Sequence, residues 1–236
     1  MKCILVGYGE IGKGVKGYYE NYHDIDVIDL NHEQHCYELE YDIMLVAIPF
    51  VERFVEIIKE YQLRFKPKAT IIFSTVAIGT TSQIESAVHA PIEGKHPQLE
   101  DSIALWTPMI GGYNETVEKF FNAIDKSRTY VPNPEITEAM KMLSTSYYGH
   151  MLEFFRYANK VLEGVGGHKR YFNEYTKNYN SLYKEMNMEN FTRPIFHSVP
   201  TGKLGGHCVV PNAKMLDEQY PSIFLKEIYR DKEDGQ

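Results

Sequence analysis

The chain has 236 residues, 43% of them hydrophobic, with a net charge of −7 and a pI near 5.7. This acidic balance argues against nucleic acid as a partner, because phosphate backbones are bound by basic surfaces. No apolar run approaches the roughly 20 residues that span a bilayer, and three cysteines without a pairing pattern are typical of a reducing compartment. We therefore expect a cytoplasmic protein without a membrane partner, built as one large domain or two small ones.

The first predicted element is a short buried strand at residues 3–6, which runs directly into a glycine loop. The spacing Gly7-x-Gly9-x-x-Gly12 allows a tight turn, a close backbone approach to a pyrophosphate and close packing of the following helix. The pattern predicts a dinucleotide cradle with the phosphates at the helix N-terminus, and the alternative is an ordinary glycine turn. The predicted cradle comprises Gly7, Tyr8, Gly9, Glu10, Ile11 and Gly12.

An acid stands at the end of the second predicted strand, residues 26–30. Asp29 lies roughly 20 residues after the glycine loop, where a carboxylate can bind the hydroxyls of the adenosine ribose. Because this charge would repel a 2′-phosphate, NAD is favoured over NADP. Asp24 and Asp26 are the competing candidates, and the alternative interpretation of Asp29 is a solvated loop acid.

Two further apolar runs, residues 43–48 and 69–73, predict buried strands separated by helical stretches. Continuous apolar strands indicate a parallel sheet covered by helices on both faces, that is, a Rossmann-type doubly wound α/β fold. Ligands of such sheets bind beyond the carboxyl ends of the strands. The residues predicted to bind the cofactor there are Ile48, Pro49, Ser74 and Thr75.

Two prolines, at residues 132 and 134, mark the clearest boundary, and the second can start a helix. We predict an NAD-binding domain at residues 1–130 and a helical segment with a C-terminal tail at residues 131–236. The segment begins with a long helix over residues 136–161. A second helical stretch carries a tyrosine stripe, which we interpret as packing against the domain or a partner subunit rather than as a ligand box. The stripe consists of Tyr171, Tyr175, Tyr179 and Tyr183. Since little chain remains to cover these helices, a homodimer is expected.

The second candidate centre is a thiol in a glycine-rich turn, Gly205-Gly206-His207-Cys208. The glycines allow a bend that brings the thiol close to a ligand, and Lys203 and His207 would favour the nucleophilic thiolate. The alternative is a buried structural cysteine, as we interpret Cys3 inside the first strand. The run His32-x-x-His35-Cys36 has metal-like spacing but no second ligand cluster, so no metal site is predicted.

Taken in order, these motifs resemble the UDP-glucose/GDP-mannose dehydrogenase family of the 6-phosphogluconate dehydrogenase-like superfamily. After the glycine loop, residues 74–80 (STVAIGT) are similar to the family's S-T-V-x-x-G-T segment. Glu138-Ala139-Met140-Lys141 resembles the start of its central helix, and residues 205–208 match the segment that holds its catalytic cysteine. The resemblance covers nearly the whole chain to about residue 216.

The resemblance implies two successive hydride transfers to NAD, from a primary alcohol through an aldehyde to an acid. The Cys208 thiolate would add to the aldehyde, giving a thiohemiacetal and then a thioester that water hydrolyses, while Lys141 would stabilise the oxyanion. The substrate would be a sugar, a sugar nucleotide or another alcohol. The resemblance implies a catalytic set of Cys208, Lys141, Asn212 and Thr75, and a substrate-binding set of Arg193, Lys203, Gly205 and His207.

Three departures from the family pattern bear on this chemistry. Asn212 replaces an aspartate four residues after the cysteine, so a carboxylate base is lost there, and Thr145 replaces an asparagine four residues after the lysine. The sequence also stops about 28 residues after Cys208, too soon for the family's C-terminal nucleotide-binding domain. We expect either a smaller substrate or a partner subunit that completes the pocket. Glu93 lies near a family loop with a catalytic glutamate, but it is displaced from the expected position and is left out of the catalytic set.

Two other functions remain open from the sequence. One is a single-step oxidoreductase of the 6-phosphogluconate dehydrogenase-like group, in which Lys141 acts and Cys208 is incidental. The other is a non-catalytic NAD-binding regulatory protein, which the substitutions at Asn212 and Thr145 favour. The presence of both Lys141 and the GGHC segment argues against the second.

Overall fold

The protein is represented by a computed structural model that describes residues 1–30, 32–33, 40–94, 97–195, 204 and 208–230. It consists of two compact units, Met1–Met142 and Leu143–Gln236. The first unit is an α/β domain and the second is helical. Of the helices in the described ranges, none is long and apolar enough to cross a membrane.

One sheet of eight strands, counted over the described residues, forms the centre of the first unit. The strands are β1 (Lys2–Val6), β2 (Asp24–Asp29), β3 (His32–Glu33), β4 (Ile43–Val46), β5 (Ala69–Ile72), β6 (Ala87–His89), β7 (Met109–Gly111) and β8 (Thr129–Val131). Their order across the sheet is β3-β2-β1-β4-β5-β6-β7-β8. The five neighbouring strands β2, β1, β4, β5 and β6 run parallel to one another, and β7 runs parallel to β8. The two antiparallel pairs are β3 with β2 and β7 with β6. The chain therefore winds outward from β1 in both directions, which confirms the predicted doubly wound fold.

Helices cover both faces of this sheet. They are α1 (Glu10–Tyr19), α2 (Phe54–Phe65), α3 (Leu99–Leu105), α4 (Glu115–Asn122) and the start of α5 (Pro134–Gly164). Successive residues of β1 point to opposite faces, so Leu5 packs in one apolar cluster with α1, α3 and α4, and Ile4 packs in another with α2. Burial on both faces explains why the strands are continuously apolar rather than alternating.

The second unit contains the rest of α5 together with α6 (Lys169–Glu185), α7 (Val209–Gln219) and α8 (Ile223–Tyr229). On α6 the tyrosine stripe divides into two halves. Tyr179 and Tyr183 are half-buried, with ring centroids 4.5 Å apart, and Tyr183 stacks on Phe191. Tyr171 and Tyr175 are exposed. The stripe is thus packed within its own unit at one end only.

The boundary between the units differs from the predicted one, because it follows residue 142 rather than residue 130. A division at 130 would cut β8, which pairs with β7 inside the sheet. It would also remove Thr137 and Glu138, which are fully buried and bond to residues of the first unit. Pro134 does begin α5, as its fixed φ angle predicts.

Candidate active site

The glycine loop joins β1 to α1, and two of its glycines are required by packing inside the protein. Gly7 has φ +97°, and a Cβ atom there would lie 2.6 Å from the carbonyl oxygen of Ala47. A Cβ atom on Gly12 would lie 2.1 Å from the carbonyl oxygen of Gly7. Side chains at either position would push α1 away from the ends of β1 and β4, so these glycines fix the close approach of helix and sheet.

Gly9 has no such internal reason to be a glycine. A Cβ atom there would meet no atom of the described residues within 4 Å, and its backbone is in an ordinary extended conformation. Gly9 is also the residue that precedes the first turn of α1, where helix amides and the helix dipole favour an anion. Open space at this point fits the pyrophosphate of a dinucleotide, which needs close access to the backbone.

Asp29, at the end of β2, lies beside the glycine loop. Its Oδ2 atom accepts a hydrogen bond from the Tyr8 amide at 2.7 Å. The two competing acids lie elsewhere on the strand: Asp24 begins β2 and is exposed, and Asp26 accepts a hydrogen bond from the Tyr41 hydroxyl at 2.7 Å. Of the three, Asp29 is therefore the acid at the expected ribose position.

The ends of β4 and β5 are tied together next to the loop. Ser74 Oγ donates to the Ile48 carbonyl at 2.7 Å, and Pro49 and Thr75 follow these two residues directly. The Ser74 carbonyl in turn lies 3.1 Å from Nε2 of His89, a fully buried residue at the end of β6. Since a carbonyl can only accept, Nε2 carries the proton there.

His89 also links this edge of the sheet to α5. Its Nδ1 atom lies 2.8 Å from the Thr137 hydroxyl. Burial, together with the nearby charge of Lys141, lowers the pKa of His89 to about 4, so the imidazole is neutral at physiological pH. The sequence reading did not identify His89, because β6 is only three residues long and offers no periodic signal.

Lys141 lies one turn further along α5 and reaches the loop that follows β6. Its Nζ atom donates to the Ile92 carbonyl at 2.7 Å and forms an ion pair with Glu93 Oε2 at 3.1 Å. The lysine side chain is only 11% exposed and the glutamate 32%. Glu93 was left out of the predicted catalytic set, yet it lies beside the predicted catalytic lysine and belongs among the candidate site residues.

Glu138 is a second acid that the sequence reading did not assign to the site. It is fully buried, and its two carboxylate oxygens accept hydrogen bonds from the backbone amides of Gly79 at 2.6 Å and Thr81 at 2.8 Å. Burial raises the pKa of the Glu138 carboxyl, although these hydrogen bonds favour its ionised form. Its position three residues before Lys141, on the same helix face, was the signal that could have revealed it.

Three of the predicted site residues that the structure describes lie in the second unit. Cys208 is exposed and precedes the first turn of α7, whereas Asn212 on α7 is buried and donates from Nδ2 to Thr145 Oγ1 at 3.1 Å. The two positions that depart from the family pattern therefore contact each other as a neutral pair. Arg193 places its guanidinium 3.7 Å from the ring centroid of Tyr179.

The first unit thus brings together, along the carboxyl edge of its strands, the glycine loop, Asp29, Ile48, Pro49, Ser74, Thr75 and Lys141. Lys203, Gly205 and His207 lie outside the described residues, as do His35 and Cys36. Across the part of the chain that is described, no group of three or more His, Cys, Asp or Glu side chains could hold a metal ion.

Comparison with known proteins identifies the fold. No protein-family model and no curated protein sequence matches the chain. Among solved structures, UDP-D-ManNAc dehydrogenase from Pyrococcus horikoshii is similar at a TM-score of 0.69 and 15% identity, over 97% of this chain and 66% of that one. GDP-mannose dehydrogenase from Pseudomonas aeruginosa is similar at a TM-score of 0.64 and 13% identity, over 93% of this chain and 64% of that one. 3-Hydroxyisobutyrate dehydrogenase from Mycobacterium tuberculosis is similar at a TM-score of 0.68 and 12% identity, over 96% of this chain and 90% of that one.

The chain therefore spans slightly less than two thirds of the two sugar-nucleotide dehydrogenases, but nine tenths of the hydroxyacid dehydrogenase. At these identities the likeness establishes a shared fold. The chain has the Rossmann-type architecture common to these dehydrogenases, followed by a helical unit.

Proposed function

We propose that the protein is an NAD-dependent dehydrogenase that oxidises a CH–OH group of a small substrate, and that it is a divergent relative of the UDP-glucose/GDP-mannose dehydrogenases. The observation that carries this proposal is the glycine loop. At the start of α1, a Cβ atom on Gly9 would have no described atom within 4 Å, and Asp29 accepts a hydrogen bond from Tyr8 in the same loop. These residues would hold the pyrophosphate and the adenosine ribose, and bound NAD would supply the hydride acceptor.

Lys141 and Glu93 are the proposed polar groups beside the reacting carbon. An ammonium held against the Ile92 carbonyl is pre-oriented, so it can stabilise an oxygen that becomes negative without first reorganising. The Glu93 carboxylate, 3.1 Å away, can accept the proton that leaves the substrate hydroxyl. Because both lie in one loop–helix contact, they would act on the same substrate oxygen.

The finer proposal is that Cys208 makes a second oxidation possible. Its thiolate sulfur would bond to the aldehyde carbon, and the resulting thiohemiacetal would lose hydride to leave a thioester. Water would then cleave the thioester to the acid and restore the thiol. Asn212 cannot act as a base, because a carboxamide does not take up a proton, and its side chain is buried against Thr145. The hydrolytic base would then be another group.

The structural neighbours support a sugar nucleotide or a hydroxy acid as substrate class, since their names include both. We also propose that the protein acts as a homodimer in the cytoplasm. Arg193 is proposed to contact substrate, together with Lys203, Gly205 and His207.

A single oxidation step is the second candidate function. Two observations favour it: the neutral Asn212–Thr145 pair, and the 90% coverage of the hydroxyacid dehydrogenase. In that case Lys141 and Glu93 would suffice and Cys208 would be incidental.

Cofactor binding is the first test. We expect NADH to bind more tightly than NADPH, by roughly tenfold or more, because Asp29 would face the 2′-phosphate. Calorimetric titration of the intact chain with both nucleotides measures this directly. Equal or tighter NADPH binding would overturn the role of Asp29.

Gly9→Ala is the matched variant for the same titration. Because a Cβ atom at this position meets no described atom, the variant should stay folded, with a cost below about 1 kcal/mol for the altered helix start. It should nevertheless lose NADH binding, since the methyl group occupies the proposed pyrophosphate space. If the folded variant binds NADH as well as the wild type does, the cofactor does not lie at this loop.

The chemistry is tested by a screen of sugar nucleotides, sugars and hydroxy acids that counts NADH formed per substrate consumed. Two NADH per substrate are expected from the wild type. Cys208→Ser should form at most one and should bind NADH normally. One NADH from the wild type, unchanged by Cys208→Ser, would establish the single-step reaction instead.

A further inference from the structure

Glu138 is an unusual acid for a buried position. Its side chain is fully enclosed, and both of its oxygens accept backbone amides, from Gly79 and Thr81. Among the described residues no lysine, arginine or histidine forms an ion pair with it. A buried carboxylate without a cation is costly, and two amide hydrogen bonds offset only part of that cost. A residue kept only for packing would be apolar at this point.

The two amides belong to the segment that follows β5. Its near end is fixed at Ser74, whose hydroxyl and carbonyl bond to Ile48 and His89. Its far end contains Gly79, at φ +88°, and there Glu138 accepts hydrogen bonds from both the Gly79 and the Thr81 amides. Thr75, which the sequence predicts to bind the cofactor, lies between these two anchors. The geometry of the segment therefore depends on Glu138.

Glu138 also lies one turn before Lys141 on α5. The first turns of α5 contact three neighbouring parts of the carboxyl edge: Thr137 bonds to His89, Glu138 to the segment after β5, and Lys141 to the loop after β6. Thr137 and Glu138 are adjacent and Lys141 lies one turn later, so a shift of the segment relative to α5 would change its distance to Lys141.

We propose that Glu138 is a positioning residue: it holds residues 75–81 in the conformation that receives the nicotinamide cofactor, in register with Lys141. The role rests on the function proposed above. Glu138 touches neither cofactor nor substrate and acts through the two amides.

The test compares two variants of the intact chain, Glu138→Gln and Glu135→Gln. Glutamine keeps the size of Glu138 but turns an NH2 group toward one of the two amide donors, so one hydrogen bond is lost. Glu135 lies one turn before Glu138 and accepts a hydrogen bond from Ser82, directly after the segment, and a glutamine oxygen can still accept that bond. The control therefore removes a neighbouring charge without removing the proposed restraint.

Two quantities are measured on folded protein, as judged by circular dichroism: the Kd for NADH, and deuterium uptake of the peptide covering residues 75–83. Glu138→Gln should weaken NADH binding about tenfold, as expected for a lost hydrogen bond to a charged group, and should speed deuterium uptake in this peptide. Glu135→Gln should change neither. A purely structural role would lower the thermal midpoint but leave the Kd of the folded protein unchanged.

The outcomes separate the two proposals. If the wild type binds no NADH, the proposed function fails, and the positioning role fails with it. If the wild type binds NADH and folded Glu138→Gln binds it equally, only the positioning role is overturned. Glu138→Asp is the second variant should the glutamine form not fold. It keeps the charge but cannot span both amides, so it should also weaken NADH binding, and wild-type affinity would again refute the role.

Discussion

Among single residues, His89 makes the stability of the first unit depend on pH. Its Nε2–H donates to the Ser74 carbonyl, and its Nδ1 accepts from Thr137, so the neutral imidazole satisfies both partners. Burial lowers its pKa to about 4 from 6.5. A depressed histidine pKa means that stability is complete above the unfolded pKa and is lost as pH falls from 6.5 through 4.

We therefore expect His89 to contribute a loss of about 2 kcal/mol in the free energy of unfolding between pH 7 and pH 5. His23 acts in the same direction, because burial also lowers its pKa to about 4. In His89→Gln the loss between these pH values should shrink by roughly half, leaving the His23 part. Urea unfolding at both pH values measures the difference. An unchanged pH slope in the variant would mean that His89 is not held neutral by the fold.

At the scale of elements, local patterns predicted the parts of the fold that rest on local physics. The apolar runs of β1, β2, β4 and β5, and the proline that starts α5, were identified because burial and the fixed proline φ angle act within a few residues. β6, β7 and β8 have three residues each, too few to show a period, and they were not predicted. Glu93, in the loop after β6, is not in the predicted catalytic set because it is displaced from the position of the glutamate in the similar family loop.

The candidate site divides in the same way. The glycine loop and Asp29 were predicted because the turn, the strand and the helix are contiguous in sequence. The contacts of His89, Glu138 and Lys141 join residues 48 to 59 positions apart. Such pairs arise from the sheet order, which brings β5, β6 and the start of α5 together, and a single sequence carries no local signal of them. The sequence offered one indication of these contacts, namely the polar residues Thr137 and Glu138 on a buried face of α5.

At the scale of the whole molecule, the described part of the second unit leaves an apolar stripe on α5 largely exposed. The side chains are Tyr147, Phe154, Tyr157 and Val161, all between 47% and 68% exposed. Their spacings of seven, three and four residues place them on one helix face. Exposed aromatic stripes of this kind mark protein–protein contacts, and aromatic residues are enriched at the centres of such interfaces.

A second copy of the chain is the proposed occupant of this stripe, because one continuous face on a long helix can pair with itself across a two-fold axis. Light scattering at micromolar concentration should give about twice the chain mass of 27.3 kDa. Tyr157→Glu would bury an unpaired charge in the contact, at a cost of several kcal/mol, and should shift the mass to that of one chain. Leu63→Glu, at a 79% exposed apolar position on α2 of the first unit, is the matched control and should leave the dimer intact. A wild-type mass of one chain would contradict the homodimer and make the α5 stripe a surface for a different partner. A dimer that survives Tyr157→Glu but not Leu63→Glu would place the interface on the first unit.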